Sequence, residues 1–108
     1  MAYKAGVTIA CGCDFGGGTI TVHGNNGLEL PLMAETIGMT PMETIVAATK
    51  TGSKLMLRED ELGTLEKGKL ADIIVCQGNP LEDLWLVSKP ENIKIVMQDG
   101  IIKKKLLV

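Results

Sequence analysis

The stretch Gly6–Asn26, GVTIACGCDFGGGTITVHGNN, decides the reading of this chain. Val7, Thr8, Ile9 and Ala10 form a run rich in β-branched residues, with Cys11 and Cys13 behind them. It stops at the acidic Asp14 and three successive glycines, Gly16 to Gly18. A continuous apolar run, rather than alternation of polar and apolar residues, marks a strand covered on both faces, as in parallel sheets and α/β barrels. The pattern predicts a buried strand over 7–13 that delivers a carboxylate to a flexible loop. Chemistry in such folds sits at the carboxyl ends of strands, so Asp14 is the first candidate functional residue. His23, the single histidine, is the second.

The chain has 108 residues, enough for one domain of ordinary size. Its 45% hydrophobic content excludes a disordered tail. With one Trp, one Tyr and one Phe, the core must be aliphatic, and six methionines are available to fill gaps. A net charge of −2 and the lack of a basic stripe give no reason to expect nucleic acid or an anionic membrane as partner. Lys103 to Lys105 reads as a solvated strand end. No apolar run approaches the ~20 residues needed to span a bilayer.

Met1 is followed by AYKAG, which has none of the features of a secretory leader. Cys11, Cys13 and Cys76 are odd in number and suggest no disulfide framework, so a cytoplasmic location is expected. Cys11 and Cys13 would share one side of a strand and could serve with Asp14 or His23 as metal ligands. A C-x-C without a second pair equally suits two small buried hydrophobes. The glycine triplet could cradle an anion through its N–H groups, but it lacks the G-K-[ST] ending of a phosphate loop.

Further along, a helix is expected to begin late, with Pro31 in its first turn, and to end at Gly38. Thr40, Pro41 and Glu43 form a complete start signal: an N-cap, a proline at the first helical position and the return arm of a capping box. This second helix is predicted to run to about Lys54, weakened by Gly52. Gly63 and Gly68 should bracket a turn or short hairpin. Strands are expected over 70–76, 93–98 and 101–106, the last two joined by Asp99-Gly100, a dipeptide suited to a two-residue hairpin turn.

The segments GVTIACGCD, HGNNGLEL, GMTPMETIVAATKTGSKLM, GTLEKGKLADIIVCQGNPLEDL and IKIVMQDGIIKK, in this order, resemble the C-terminal end of a metal-dependent amidohydrolase. The branch they resemble contains imidazolonepropionase and Xaa-Pro or Xaa-Arg dipeptidase-like enzymes. The resemblance implies an α/β fold: a fragment of a TIM-like barrel, its last strand plus two following helices, over residues 1–57. The C-terminal strands of a small β-sandwich would occupy 58–108. It also implies that Asp14 is a metal ligand and catalytic proton acceptor, that His23 is a substrate-side residue, and that the parent family uses zinc or another divalent metal. Cys13, Phe15 and Gly52 depart from the family's usual Thr, small residue and Ala.

Activating water for amide hydrolysis needs a cation held by several ligands, and the resemblance assigns most of these to strands that this sequence does not contain. Three functions remain open. The chain is an amidohydrolase piece that is inactive alone, one half of a split hydrolase completed by a missing N-terminal chain, or a small oligomeric interaction module. Unpaired strand edges favour self-association into a homo-oligomer.

Overall fold

The computed structural model describes residues 1–14 and 23–106. The glycine triplet and Phe15, on which the loop expectation rests, lie outside the described residues. Among these, three α-helices are followed by one antiparallel sheet: α1 (Glu29–Ile37), α2 (Pro41–Ala48), α3 (Lys50–Leu55), β1 (Ile73–Cys76), β2 (Ile93–Gln98) and β3 (Ile101–Lys105).

Pro31 sits in the first turn of α1, where its missing N–H costs nothing, and Gly38 closes the helix with a φ of 84°. The capping box of α2 forms as the sequence predicts. Glu43 N–H donates to Thr40 Oγ1 at 3.3 Å, and the Glu43 carboxylate accepts from Thr40 N–H at 2.8 Å. The helix does not reach Lys54 as expected, however. It breaks at Thr49, whose backbone leaves the helical region at φ −118°, ψ −84°. Thr49 Oγ1 donates to the Ile45 carbonyl at 2.7 Å, a bond that competes with the backbone ladder. Beneath the break, Ser53 is buried against Gly63.

The sheet order is β1-β2-β3. Asp99 and Gly100 both take positive φ angles, 50° and 75°, as a two-residue hairpin turn requires. Register pairs Ile74 with Val96 and Val96 with Lys104. β1 is shorter than the expected 70–76 because Leu70 N–H donates instead to the Glu61 carbonyl at 2.9 Å. Its start is tied to the hairpin turn, since Asp99 N–H donates to Asp72 Oδ1 at 2.8 Å and Gly100 N–H to the Ala71 carbonyl at 3.1 Å. Residues 63–68 form turns without a hairpin.

The expected buried strand over 7–13 is corrected. These residues are extended but belong to no ladder, Val7 and Thr8 are exposed, and Ile9 to Cys11 are half-buried. A strand is stabilised by neighbours, and among the described residues none lies beside it. It is joined to the rest by a backbone bond from Cys11 N–H to the Ala47 carbonyl of α2 at 3.0 Å and by the side chain of Asn26, which donates to Cys13 Sγ.

Helix α1 packs on α2 and on a short 3-10 turn at Leu84–Ser88, where Trp85 Nε1 donates to Glu35 Oε1 at 2.8 Å. The sheet packs mainly within itself. Among the described residues only Met33, Ala47 and Leu84 are buried large or small hydrophobes, with Pro31, Thr44 and Ser53 beside them. The Cα radius of gyration is 14.3 Å, against about 13 Å for a compact domain of this length.

Gly63 has a φ of +89°, and a Cβ there would lie 2.9 Å from the Thr49 carbonyl oxygen and collide with the Ser53 side chain. Gly63→Ala is therefore expected to destabilise the fold by roughly 2–4 kcal/mol. Thermal denaturation followed by circular dichroism checks this; an unchanged midpoint would contradict the close approach.

Candidate functional site

Asp14 lies exposed at the end of the extended segment 7–14, and His23 lies exposed where the described chain resumes. The two residues therefore bracket residues 15–22. The side chain of Asn26 joins the two flanks: Asn26 Nδ2 donates to Cys13 Sγ at 3.4 Å, and Asn26 Oδ1 accepts from Gly24 N–H at 3.2 Å. One amide thus spans from the residue before Asp14 to the residue after His23.

The segment that carries Asp14 is supported by α2. Tyr3 Oη donates to Glu43 Oε1 at 2.9 Å, while the other oxygen of the same carboxylate closes the Thr40 capping box. Further along, Cys11 N–H bonds the Ala47 carbonyl one turn later on the helix. An open hollow remains between them, lined by Val7, Ile9, Met42 and Val46.

Burial, followed by the nearby Glu29 carboxylate and Cys13, raises the Cys11 thiol above its ordinary range. Cys11 is thereby kept protonated, the opposite of what a thiolate ligand or nucleophile needs. All three cysteines are free and half-buried.

The described residues do not fit a metal centre by themselves. No group of three or more His, Cys, Asp or Glu among them is placed to hold an ion. A carboxylate such as Asp14 can contribute one ligand, and four are usual for zinc.

Sequence reasoning missed Asn26, Tyr3 and Glu29. Asn26 carried a detectable signal, because an Asn beside glycine in a polar turn commonly folds its side chain onto nearby backbone. Tyr3 carried none, since its partner Glu43 lies forty residues away.

The chain is a member of the amidohydrolase family, whose model matches residues 1–102. Among curated proteins it is 40% identical over 100 residues to ochratoxinase of Aspergillus niger, covering 92% of this chain and 20% of that protein. Imidazolonepropionase of Symbiobacterium thermophilum is 33% identical over 67% of this chain and 17% of its own length.

Among solved structures, a Xaa-Pro dipeptidase with methionine bound in its active site superposes with a TM-score of 0.83 at 41% identity, over 95% of this chain and 24% of that one. A. niger ochratoxinase gives a TM-score of 0.81 at 37% identity, over 97% of this chain and 23% of its own. The chain thus spans a fifth to a quarter of the length of these relatives. No helix among the described residues is long and apolar enough to cross a membrane.

Hydrogen bonds from Thr40 and Tyr3 hold the Glu43 carboxyl below its ordinary value of 4.5. A depressed carboxylate stabilises the fold fully above that ordinary value, and the contribution is lost as pH falls through the lower folded value. Stability is therefore expected to decline below about pH 4.5, and Glu43→Gln to flatten that part of the profile. Urea titrations between pH 3 and 6 test this; parallel profiles for both proteins would refute the network.

Proposed function

We propose that this chain forms the C-terminal portion of an amidohydrolase that cleaves C–N bonds in peptide-like or cyclic amide substrates, and that it is inactive until polypeptide carrying the rest of the site joins it. The observation that carries this reading is the match over residues 1–102 to the amidohydrolase family. Superposition on a Xaa-Pro dipeptidase supports peptide-like amides as a substrate class.

In this reading residues 7–14 are the last strand of a TIM-like barrel, and the helices of residues 29–55 follow it. The portion from residue 58 onward belongs to a small β-sandwich, with residues 1–57 as the barrel portion. Asp14 supplies one ligand to zinc or another divalent metal and accepts a proton from the attacking water, while His23 lies on the substrate side. The remaining ligands lie outside this chain. The three free cysteines agree with a reducing cytoplasm.

A non-enzymatic oligomeric module is the second reading. It is favoured by the many exposed aliphatic side chains, among them Leu55, Leu65 and Ile74. Zinc analysis and hydrolysis assays separate the two. Alone, the dialysed chain is expected to hold substoichiometric zinc and to hydrolyse neither a Xaa-Pro dipeptide nor an N-acyl amino acid. Combined with A. niger ochratoxinase lacking the region that this chain matches, it should restore hydrolysis. Asp14→Asn should lower that rate by about 100-fold or more. Hydrolysis undiminished in Asp14→Asn would overturn the role of Asp14, and its absence in every combination would leave the oligomeric module.

A further inference from the structure

We propose that the hollow between the C-terminal end of α1 and Trp85 is a binding site for an organic cation on an apolar stem, filled by an arginine side chain of another polypeptide. The hollow shares no residue with the segment that carries Asp14, and its occupancy is independent of the hydrolase reading above.

One carboxylate and one indole set its chemistry. Glu35 Oε1 accepts from Trp85 Nε1 at 2.8 Å, while Glu35 Oε2 accepts from nothing among the described residues. No lysine or arginine among them pairs with this carboxylate. Its position adds to the charge. Glu35 stands in the last turn of α1, at the negative end of the helix dipole, and no basic residue stands there to offset it. A cation on Oε2 relieves both the unpaired carboxylate and the helix end.

The walls are apolar. Pro31, Ala34, Met39, Pro41 and Leu84 complete the lining of a space of about 250 Å³, so Glu35 is the one ionised lining group. That space suits the methylenes and head of a single long side chain. Trp85 is held ready on its side of it. Its backbone N–H donates to Asp83 Oδ1 at 3.0 Å, and its carbonyl accepts from Ser88 Oγ at 2.7 Å. The turn that carries it also presses on the chain ahead of α1, where a Cβ on Gly27 would collide with the Val87 carbonyl. Although pinned at its ring nitrogen and its backbone, Trp85 remains 38% exposed. An indole face attracts cations, so the ring supplies one wall and Oε2 the acceptor.

Guanidinium suits this pair better than ammonium. It is planar and weakly hydrated, and it stacks on an aromatic face while an N–H at its edge reaches an acceptor. An ammonium is a strongly hydrated point charge. A neutral side chain would fill the walls but desolvate Glu35 without compensation. A second copy of this chain does not supply the group, because its single arginine, Arg58, already bonds Glu61 at 2.7 Å. The arginine therefore comes from a different polypeptide.

Trp85 is the sole tryptophan of the chain and reports on its own site. The test titrates the whole chain at low ionic strength with acetyl-Ala-Arg-Ala-amide, followed by tryptophan fluorescence, with N-acetyltryptophanamide as the control for collisional quenching. A change that saturates below about 10 mM is expected, and none with acetyl-Ala-Ala-Ala-amide. The lysine analogue should bind about threefold more weakly or worse. Glu35→Gln keeps an acceptor for the indole and should weaken binding about fivefold or more. Raising the salt to about 0.5 M should weaken it as well. The Ala34 and Met39 amide resonances should shift on binding, which gives a readout for Trp85→Leu, expected to lose the interaction.

Circular dichroism verifies the fold of both variants; if Trp85→Leu fails it, the wild type and Glu35→Gln decide. Linear quenching equal to that of N-acetyltryptophanamide, an equal response to the alanine peptide, a lysine peptide that binds as tightly, or undiminished binding by Glu35→Gln would each overturn the proposal. So would fluorescence that changes with the concentration of the chain alone, which would assign the hollow to self-association.

Discussion

Extended backbone must find hydrogen-bond partners somewhere, and in this chain the segment that ends in Asp14 finds them on a helix instead of on a sibling strand. Its attachment to that helix includes the Cys11 N–H bond to the Ala47 carbonyl and the Tyr3 phenol on Glu43. Both depend on where α2 begins. The Thr40–Glu43 capping box fixes that start, and thereby the height of Glu43 and Ala47 along the segment. Glu43 therefore acts twice, accepting from the N-cap Thr40 N–H with one oxygen and anchoring the N-terminal segment through Tyr3 with the other.

Features governed by local stereochemistry were legible in the sequence. The Asp99-Gly100 turn, the glycine after α1 and the capping box each need only neighbouring residues to define them, and each forms as expected. Features that depend on distant partners were not. The apolar run over 7–13 has the composition of a buried strand, but composition cannot supply the flanking strands that bury it. The break at Thr49 follows from a threonine bonding back to Ile45 and from the close approach of Gly63 to Ser53. Neither leaves a trace in the periodicity of residues 41–54. For the candidate site, Asp14 was visible as an acid ending an apolar run, whereas the Asn26 bridge to Cys13 joins residues thirteen apart through an amide–thiol contact that no pattern announces.

Among the described residues few large side chains are buried, although the chain is 45% hydrophobic. The helices that carry the Asp14 segment and the sheet that follows them pack chiefly among their own elements. In the connection between them the Lys69 ammonium gathers the Glu59 carbonyl, Thr64 and Glu66 around the turn before β1.

The strand pairings of the sheet also set an order of events during folding. β2 and β3 are joined by two residues, so their hairpin closes on a timescale of about 1–10 μs. β1 must first bridge the sixteen residues from 77 to 92. As the chain folds, the sheet therefore has its lysine-guarded edge in place before its apolar edge is organised.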